Sequence, residues 1–369
     1  MNKDFSAAER LRYGRHFSLS GVGISGQAKL RAARVLVVGA GGLGCPALLY
    51  LAAAGVGTIG IVDADRVSSS NLQRQILYGE GQLGQLKVEA ARARLQELNP
   101  LVRIELFPTN LSRTNALDIL ADYDIVLDGT DNFPTRYLIN DACVLADKVC
   151  VYGSVFRFEG QLSVFNALLP DGSRGPNYRD LYPSPPQAGQ VPSCAQDGIL
   201  GVLPGIIGTR QASEVLKLLL GIGDPLSGKL LLYDALSGQE RLIRFPKRTN
   251  YRIDTLIDYE LFCGLPAQES LPTIDATSLS RMLHQEEAIQ LLDVRTASEF
   301  ARGKIAAALL FPLAQLEQQA PPLNKEETVV VYCQSGKRSA RAVALLQAYG
   351  FQRVFHLEGG ISAYTAKEE

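Results

Sequence analysis

The sequence predicts two α/β domains, a larger one with a mainly parallel sheet followed by a smaller one. Apolar runs such as Val35 to Val38 and Thr58 to Val62 alternate with helix-forming stretches. Such runs are typical of parallel strands, because both faces of these strands are buried. The composition becomes polar and proline-containing over residues 249–276, which is typical of a linker. We therefore expect one domain over residues 1–248 and a second over residues 277–369.

The bulk composition excludes some classes of protein. The 369 residues include 37 basic and 38 acidic side chains, for a net charge of −1, so nucleic-acid binding through bulk charge is not expected. The six cysteines form no CxxC pair, which indicates free thiols, and no signal sequence opens the chain, so we expect a cytoplasmic protein. The uncharged run from Val35 to Val62 is long enough to span a membrane, but its glycines favour strand, helix and strand, and no membrane association is expected.

The first apolar run ends in a glycine-rich turn. Gly39, Gly41, Gly42 and Gly44 lie in the segment GAGGLG, which helix-forming residues follow. Glycines at this spacing let the backbone approach a phosphate at a helix N-terminus, where free N–H groups and the helix dipole favour negative charge. Asp63 ends the second apolar run about 20 residues later, where a carboxylate can accept hydrogen bonds from ribose hydroxyls. The pattern predicts a Rossmann-like nucleotide site, although a glycine-rich turn that binds nothing can share this spacing.

Polar and cationic side chains follow the predicted ribose carboxylate. Asn71, Arg74 and Lys87 come within one or two predicted elements of Asp63. Cations that converge on a phosphate-binding turn suit a triphosphate better than the pyrophosphate of a dinucleotide. ATP is therefore the expected nucleotide, and an NAD-dependent oxidoreductase is the less favoured alternative.

The later elements of the first domain follow from periodicity and turn residues. We expect further helices over Gln85 to Leu98, Thr135 to Ala146 and Ile199 to Leu220, parallel strands over Val102 to Phe107, Asp124 to Leu127 and Val149 to Tyr152, antiparallel strands within Val155 to Phe165, and a hairpin over Lys229 to Phe245.

The fourth parallel strand delivers the segment DGTDN, residues 128–132, to the carboxyl edge of the sheet. Open α/β sheets place their ligands at that edge. Asp131 could hold Mg²⁺ against the phosphates there, as carboxylates commonly do while the ion keeps several waters. The same residues also make a good turn and N-cap before the next helix.

These motifs together resemble the MoeB/ThiF adenylyltransferases, relatives of the ubiquitin-activating enzymes. The resemblance rests on GAGGLG, on VDAD, on DxTDN and above all on SNLQRQ at Ser70 to Gln75. It implies ATP and Mg²⁺, with Asp131 on the metal. It also implies a homodimer in which Arg15, from the segment RYGRH, reaches the ATP of the other subunit; His16 departs from the family's usual glutamine. Relatives carry a sulfur-handling cysteine where Cys194 lies, in a long loop rich in proline and glycine.

One departure from the family concerns zinc. Zinc-binding members carry one CxxC in the segment where this chain has Asn177 and Asp180, and a second after the hairpin, where residues 246–253 contain no cysteine. Structural zinc prefers four soft ligands, and Cys263 alone cannot supply them. We expect no structural zinc, and we expect Cys263 to be a structural thiol.

The second domain carries a cysteine loop. Strands are predicted over Ile289 to Asp293, Thr328 to Tyr332 and Arg353 to Leu357, and Cys333 stands between the middle strand and the helix Ala340 to Tyr349. Backbone N–H groups, the helix dipole and the neighbouring Lys337 and Arg338 all favour a thiolate there.

The length of this loop separates two chemistries. A phosphatase of the Cys-x5-Arg type needs arginine six positions after the cysteine, whereas Arg338 is five positions after Cys333 and Ser339 is six. A tighter loop suits a terminal sulfur better than a tetrahedral phosphate. Together with LDVR, Glu299 and LEGGI, the segment resembles a rhodanese domain, with Lys304, Ala307 and Tyr364 as departures. The resemblance implies that Cys333 carries a persulfide and that Arg338 assists it.

We therefore expect an enzyme that adenylates the C-terminal carboxylate of a small ubiquitin-like sulfur-carrier protein ending in Gly-Gly, and then converts it to a thiocarboxylate. The sulfur would come to Cys333 from a persulfide donor such as a cysteine desulfurase, and Cys194 would assist. An activator that forms only thioesters, and a non-enzymatic scaffold, are the remaining alternatives.

Overall fold

The computed structural model describes residues 5–186, 198–264, 272–285 and 288–368. The chain divides into two compact units, Met1–Cys263 and Gly264–Glu369. The division lies inside the segment 249–276 that the sequence analysis assigns to a linker.

The first unit contains one eight-stranded sheet in the order β3-β2-β1-β4-β5-β6-β7-β8. Neighbours from β3 to β5 pair in parallel, and β5 to β8 pair antiparallel. The strands are β1 Arg34–Val38, β2 Thr58–Val62, β3 Arg103–Phe107, β4 Ile125–Asp128, β5 Val149–Phe156, β6 Glu159–Phe165, β7 Lys229–Asp234 and β8 Glu240–Arg244. Apolar clusters cover both faces of the parallel part, which explains why its strands are apolar throughout.

Helices flank this sheet. They are α1 Ala7–Arg12, α2 Gly14–Phe17, α3 Gly23–Ala32, α4 Gly44–Ala54, α5 Lys87–Leu98, α6 Ala116–Ala121, α7 Phe133–Leu145, α8 Tyr178–Leu181, α9 Val202–Leu220 and α10 Tyr259–Phe262. The ends of α4 and α7 follow from local chemistry. Gly55 ends α4 in the left-handed conformation, as glycine allows, and the Asn132 side chain caps α7 by accepting from the Thr135 N–H.

The N-terminal cationic segment differs from a single amphipathic helix. Arg12 ends α1 and Arg15 lies in α2, with Tyr13 between them. Tyr13 is buried, and its hydroxyl accepts a hydrogen bond from Asn99 at 2.9 Å. Arg10 and Arg12 therefore lie in one short helix and Arg15 in the next.

The strand register brings three chain segments to one level. Val38 of β1 is paired with Val62 of β2 and with Asp128 of β4. The residues that follow each of these strands therefore meet at the carboxyl edge of the sheet, as the sequence analysis expects. The uncharged run from 35 to 62 forms β1, α4 and β2, and among the described residues no helix is long and apolar enough to cross a membrane.

The second unit is a five-stranded parallel sheet in the order β11-β10-β12-β13-β9. Its strands are β9 Thr273–Ile274, β10 Ile289–Asp293, β11 Leu309–Leu310, β12 Thr328–Tyr332 and β13 Val354–Leu357. Its helices are α11 Ala276–His284, α12 Ala297–Arg302, α13 Leu313–Leu316, α14 Lys337–Ala348 and α15 Gly360–Glu368. The strand that precedes Cys333, β12, lies in the middle of this sheet.

Ala307 is one of the departures from the rhodanese pattern, and its backbone is strained. Its φ is +59°, a conformation that glycine adopts freely and that a Cβ makes costly. The Ala307→Gly variant should therefore be more stable by about 0.5–1 kcal/mol, the net of relieved strain and greater freedom of the unfolded chain. Calorimetric unfolding of the full chain measures the change.

The neighbouring Ala306 is the matched control. It is exposed like Ala307, but its φ is not positive. Ala306→Gly should lower stability by about 0.5–1 kcal/mol. Equal effects of the two glycine substitutions would contradict the assignment of strain to Ala307.

Candidate functional site

The glycine turn is held at the carboxyl edge by two neighbouring strands. The Gly39 N–H donates to the Val62 carbonyl at 2.8 Å, and the Gly129 N–H donates to the Val38 carbonyl at 2.8 Å. Gly39 has φ +92°, and a Cβ on Gly44 would overlap the Gly39 carbonyl oxygen. The turn can therefore exist only without side chains at these points, which leaves backbone N–H groups at the start of α4 to face a ligand.

Asp63 fixes the turn from the neighbouring strand. Its Oδ2 accepts from the Ala40 N–H at 2.8 Å, and its Oδ1 accepts from the Asp65 N–H at 2.8 Å. Burial raises the pKa of the Asp63 carboxyl, against the attraction of Lys87 and the two backbone hydrogen bonds. Each carboxylate oxygen retains a second acceptor site for a ribose hydroxyl.

Lys87 reaches this edge from the start of α5. The residue is only 5% exposed, and its Nζ donates to Asp65 Oδ2 at 3.1 Å. The ion pair with Asp65 holds the Lys87 side chain in place at this edge. The structure thus brings Lys87 to the glycine turn, where the sequence analysis expects a cation.

The SNLQRQ segment lies against the glycine turn. The Arg74 Cγ atom lies 3.6 Å from the position of a Cβ on Gly42. Its Nη1 donates to the Ser70 carbonyl at 3.0 Å, and no other hydrogen bond or ion pair of its guanidinium is present among the described residues. Asn71 accepts from the Ser68 N–H at 3.3 Å, which shapes the turn that carries Arg74.

Gln75 is a residue that the sequence analysis did not assign. It is 4% exposed, and its Nε2 lies 3.7 Å from the position of a Cβ on Gly41. Its buried Oε1 has no hydrogen-bond partner within the described part of the chain. Burial of an unpaired amide oxygen is costly, which marks Gln75 as a candidate ligand group. Its place in SNLQRQ was the available signal.

The DGTDN segment forms the other wall of this edge. Asp128 is buried, and its Oδ1 accepts from the backbone and hydroxyl of Thr130 at 2.9 and 2.6 Å. Burial raises the pKa of the Asp128 carboxyl, opposed by Arg136 and by the Thr130 hydrogen bonds. Asp131 is exposed, so it can bind a cation that keeps its waters. The residues present therefore fit Mg²⁺.

Arg136 supports this segment from α7 and was missed from the sequence. Its Nη2 donates to the Thr130 carbonyl at 3.1 Å, and its buried Nε has no partner among the residues described. It packs near Phe133 and Tyr152. Its position one helical turn after the Asn132 cap is the only sequence signal for this role.

Arg15 lies apart from the residues at the sheet edge. It is exposed, and no hydrogen bond or ion pair of its side chain occurs in the described part of the chain. Its neighbours are anchored, since Arg12 Nη1 donates to the Leu98 carbonyl at 2.8 Å and His16 Nδ1 donates to Gln27 Oε1 at 2.7 Å. Arg15 is thus an exposed cation on a segment that its neighbours anchor.

The described cysteines of the first unit lie within its core. Cys45, Cys143, Cys150 and Cys263 are buried. Burial raises the pKa of the Cys45 thiol to about 12 and that of Cys263 to about 11, which suppresses thiolate chemistry. Cys194 lies outside the described residues.

The position expected for zinc in relatives is filled by hydrogen bonds. Asn177 Oδ1 caps α8 by accepting from the Arg179 N–H at 2.9 Å, and it also accepts from the Tyr251 hydroxyl at 3.0 Å. Asp180 Oδ2 accepts from the Asn177 N–H at 2.7 Å, and its Oδ1 accepts from the Arg248 N–H at 2.6 Å. These bonds tie residues 246–253 to α8 and leave no set of soft ligands. The residues present do not fit zinc, and no group of three or more metal-ligating side chains occurs among the described residues.

A buried ion pair extends this network. Arg179 Nε and Nη2 donate to the two Asp141 oxygens at 2.8 and 2.7 Å, and the Tyr259 hydroxyl donates to Asp141 Oδ2 at 2.8 Å. The helix α10 is thereby fastened to α7. The start of the predicted linker thus belongs structurally to the first unit.

The Cys333 loop of the second unit closes tightly around the sulfur. The Cys333 carbonyl accepts from the Ile361 N–H at 2.8 Å, Gly336 has φ +90°, and Cys333 is 1% exposed. Ser339, the sixth residue after the cysteine, is buried with its Oγ 3.6 Å from the Cys333 sulfur. A serine at the position of the phosphatase arginine fits a sulfur loop and does not supply the arginine that a bound phosphate needs there.

Arg338 is engaged elsewhere than the sequence analysis expects. Its Nη1 and Nη2 donate to the two oxygens of Glu299 on α12 at 2.8 and 2.6 Å. Hydrogen bonding to Arg338 is the main reason that the pKa of Glu299 is lowered to about 2. Among the described side chains, Arg338 is therefore hydrogen-bonded to Glu299 and not to the loop.

Together, the sheet edge and the cysteine loop define a class of protein in which a nucleotide-binding α/β unit is joined to a sulfur-handling α/β unit. The ThiF family profile matches residues 13–253, and a rhodanese-like domain profile matches residues 275–367. The chain belongs to the ThiF family and carries a C-terminal rhodanese domain. The resemblance stated from the sequence is confirmed.

Curated proteins are similar to all or part of this chain. The probable adenylyltransferase/sulfurtransferase MoeZ of Mycobacterium tuberculosis is 47% identical over 98% of this chain and 94% of its own. The adenylyltransferase and sulfurtransferase MOCS3 of Mus musculus is 41% identical, covering 98% of this chain and 86% of its own. The sulfur carrier protein adenylyltransferase of Thermus thermophilus is 52% identical over 69% of this chain and 96% of its own.

Solved structures share the fold of the first unit. A crystal structure of Escherichia coli MccB with MccA-N7isoASN has a TM-score of 0.58 at 20% identity, over 68% of this chain and 75% of that one. The Rossmann-like, mainly parallel fold and the smaller rhodanese domain predicted from the sequence are both confirmed.

Because the Asp180 carboxylate is used by two backbone N–H groups, we expect no zinc at this position. The purified protein should contain no stoichiometric zinc by elemental analysis, and a chelator should leave its melting temperature unchanged. Asp180→Ala should lower stability by roughly 2 kcal/mol, because the Asn177 and Arg248 N–H groups lose their acceptor.

Asp171→Ala is the control for this variant, because Asp171 accepts from Ser173 in an exposed turn. Its effect should stay within about 0.5 kcal/mol. One equivalent of zinc per chain would overturn the interpretation.

Proposed function

We propose that the protein adenylates the C-terminal carboxylate of a small ubiquitin-like sulfur-carrier protein with ATP and then replaces the adenylate with sulfur from Cys333. The observation that supports this most directly is the juxtaposition of the glycine turn, Asp63, Arg74 and Lys87 at one sheet edge, in a chain that also carries a cysteine loop. Relatives named as adenylyltransferases and sulfurtransferases share both units.

The first reaction uses the sheet edge. The N–H groups at the start of α4 bind the ATP phosphates, and Asp63 accepts from the ribose hydroxyls. The carrier carboxylate attacks the α-phosphorus, and the bond to pyrophosphate breaks with its electron pair on the leaving group. Arg74 and Lys87 offset the charge that develops on the phosphates. The buried amide oxygen of Gln75 accepts a hydrogen bond from the ligand. The product is an acyl-adenylate, which has a good leaving group where the carboxylate had none.

Two further groups would complete this site. Asp131 would hold Mg²⁺, whose charge stabilises the phosphates when it is bound. Arg15 would come from a second copy of the chain, because it is exposed and unused within its own. A two-fold homodimer supplies one such arginine to each of two equivalent sites.

The second reaction uses Cys333. A donor such as a cysteine desulfurase would load it as a persulfide. The terminal sulfur then attacks the acyl-adenylate carbonyl and AMP leaves, which forms an acyl disulfide. Attack of a thiol, assigned to Cys194, on the Cys333 sulfur releases the thiocarboxylate and leaves a disulfide that a cellular reductant opens. Because these steps need ATP and reduced thiols, we place the enzyme in the cytoplasm.

Adenylation can be measured by ATP–pyrophosphate exchange in the presence of a candidate carrier. Arg74→Ala should slow exchange by about 100-fold, since it removes a cation that stabilises transition-state charge. Arg94→Ala is the control, because Arg94 is exposed on α5 and pairs with Glu97; it should exchange at the wild-type rate.

Mixing two inactive variants tests the action of Arg15 across the dimer. Arg15→Ala and Arg74→Ala chains, mixed and allowed to exchange subunits, should recover roughly a quarter of the wild-type rate, since each mixed dimer contains one intact site. No recovery after proven subunit exchange would place Arg15 in its own site or outside the reaction.

Sulfur transfer can be followed by mass spectrometry of the carrier after incubation with ATP and a persulfide donor. The wild-type protein should convert the C-terminal oxygen to sulfur, and Cys333→Ala should lower the yield by at least about 100-fold, because the nucleophile is absent. Thiocarboxylate formation that persists in Cys333→Ala would show that sulfur arrives by another route.

A further inference from the structure

An arginine that directly follows the Cys333 loop is already paired with a carboxylate. Arg338 follows the loop by sequence, yet both of its terminal nitrogens donate to Glu299. The pKa of Arg338 is raised chiefly by this hydrogen bond, and the charge of Cys333 also contributes. Arg338 lies in the first turn of α14, directly after the loop, and its hydrogen-bonding edge faces a carboxylate.

A second arginine beside the loop is held in the same way. Arg295 is buried, and its Nε and Nη2 donate to Asp293 at 3.0 and 2.7 Å, while its Nη2 also donates to the Gly303 carbonyl at 2.6 Å. Its remaining Nη1 donates to Gln334 Oε1 at 3.2 Å. Neither arginine offers a free fork of donors to a small anion.

Sulfur donors differ in how strongly they need cationic hydrogen-bond donors at the loop. Thiosulfate is a free dianion, and its sulfonate oxygens require cationic donors when they leave water. A persulfide carried on a cysteine side chain or a small thiol presents its terminal sulfur without a sulfonate group. Whether Arg338 is paired with Glu299 therefore affects which donor can load Cys333 with sulfur.

We propose that Glu299 sets the donor preference of Cys333: by occupying Arg338 it withholds the guanidinium from free oxyanion donors such as thiosulfate and favours persulfide donors. The proposal rests on the proposed sulfur-transfer role of Cys333. It makes Glu299 a specificity-determining residue that acts through Arg338.

The chemistry of the two donors differs only in the leaving group. The Cys333 thiolate attacks the outer sulfur of thiosulfate, the S–S bond breaks, and sulfite leaves with the electron pair, which yields a Cys333 persulfide. With a small-thiol persulfide the same attack expels a thiolate. In the assay, cyanide attacks the terminal sulfur of the Cys333 persulfide, and thiocyanate forms as the Cys333 thiolate is regenerated.

One substitution of Glu299 can remove its charge and leave the fold intact. Glu299 also caps α12, since its Oε2 accepts from the Thr296 N–H at 2.9 Å and its own N–H donates to Thr296 Oγ1. Glutamine can maintain this capping box, whereas its neutral amide cannot hold Arg338 through two charged oxygens. Glu299→Gln should therefore fold, and circular dichroism melting checks this before assay.

The matched control breaks a similar pair on the same helix. Arg341 of α14 donates to Glu317 at 2.8 Å, and both side chains are partly exposed. Glu317→Gln removes one Arg–Glu pair from α14 and leaves the Glu299–Arg338 pair intact, so it should leave thiosulfate kinetics as in the wild type.

The experiment measures thiocyanate formation by the full chain from thiosulfate and, separately, from glutathione persulfide. Glu299→Gln should lower the KM for thiosulfate by about tenfold, the effect of roughly one charge-assisted hydrogen bond, and so raise the ratio of thiosulfate to persulfide kcat/KM. Sulfate should become a stronger competitive inhibitor of the thiosulfate reaction. The double variant Glu299→Gln/Arg338→Ala should lose both gains.

Arg338→Lys gives a second route to the same answer. An ammonium cannot form the two-pronged pair with Glu299, so this variant should lower the KM for thiosulfate by a smaller factor. An unchanged KM in Glu299→Gln, or an equal gain that survives in the double variant, would overturn the proposal. If Cys333→Ser retains transfer from both donors, the proposed role of Cys333 fails instead, which is a distinguishable result.

Discussion

The contact between two backbones at Gly39 and Gly129 is the constraint on which the first unit depends. A Cβ on Gly129 would lie 2.8 Å from the Gly39 carbonyl oxygen, and one on Gly39 would lie equally close to the Gly129 carbonyl oxygen. Because neither glycine can carry a side chain here, β1 and β4 can end side by side, and the segments that follow them share one edge. Asp63 completes the arrangement by bonding to the Ala40 N–H. A phosphate at this edge can be met only by backbone donors and by side chains that arrive from elsewhere.

The local features of this edge could be predicted from the sequence, whereas the long-range ones could not. The glycine spacing, the two apolar runs and the carboxylate at the end of the second run are local signals, and the structure places them as expected. The roles of Gln75 and Arg136 depend on contacts with the glycine turn and with Thr130 that no periodicity encodes. Arg338 was assigned from its closeness to Cys333 in sequence, but its partner Glu299 comes from a different helix.

The same chemical device recurs in both units. Lys87 is held by Asp65, Arg179 by Asp141, Arg295 by Asp293 and Arg338 by Glu299. A long cationic side chain loses much rotamer freedom when a ligand fixes it, and a carboxylate that fixes it beforehand removes part of that cost. The carboxylate also competes with the ligand for the cation. Pairing therefore positions a cation and, at the same time, sets how strongly a substrate must bind to use it.

The hydrogen-bonded tie between α8 and residues 246–253 has a consequence for sulfur chemistry. Four zinc-bound thiolates are themselves nucleophiles, and persulfides and oxidants attack thiolates. A domain that is fastened by Asn177, Asp180, Tyr251 and Arg248 presents none of them. Without zinc, as we expect, the scaffold would stay out of the enzyme's own sulfur chemistry, and its assembly would not depend on the zinc supply of the cell.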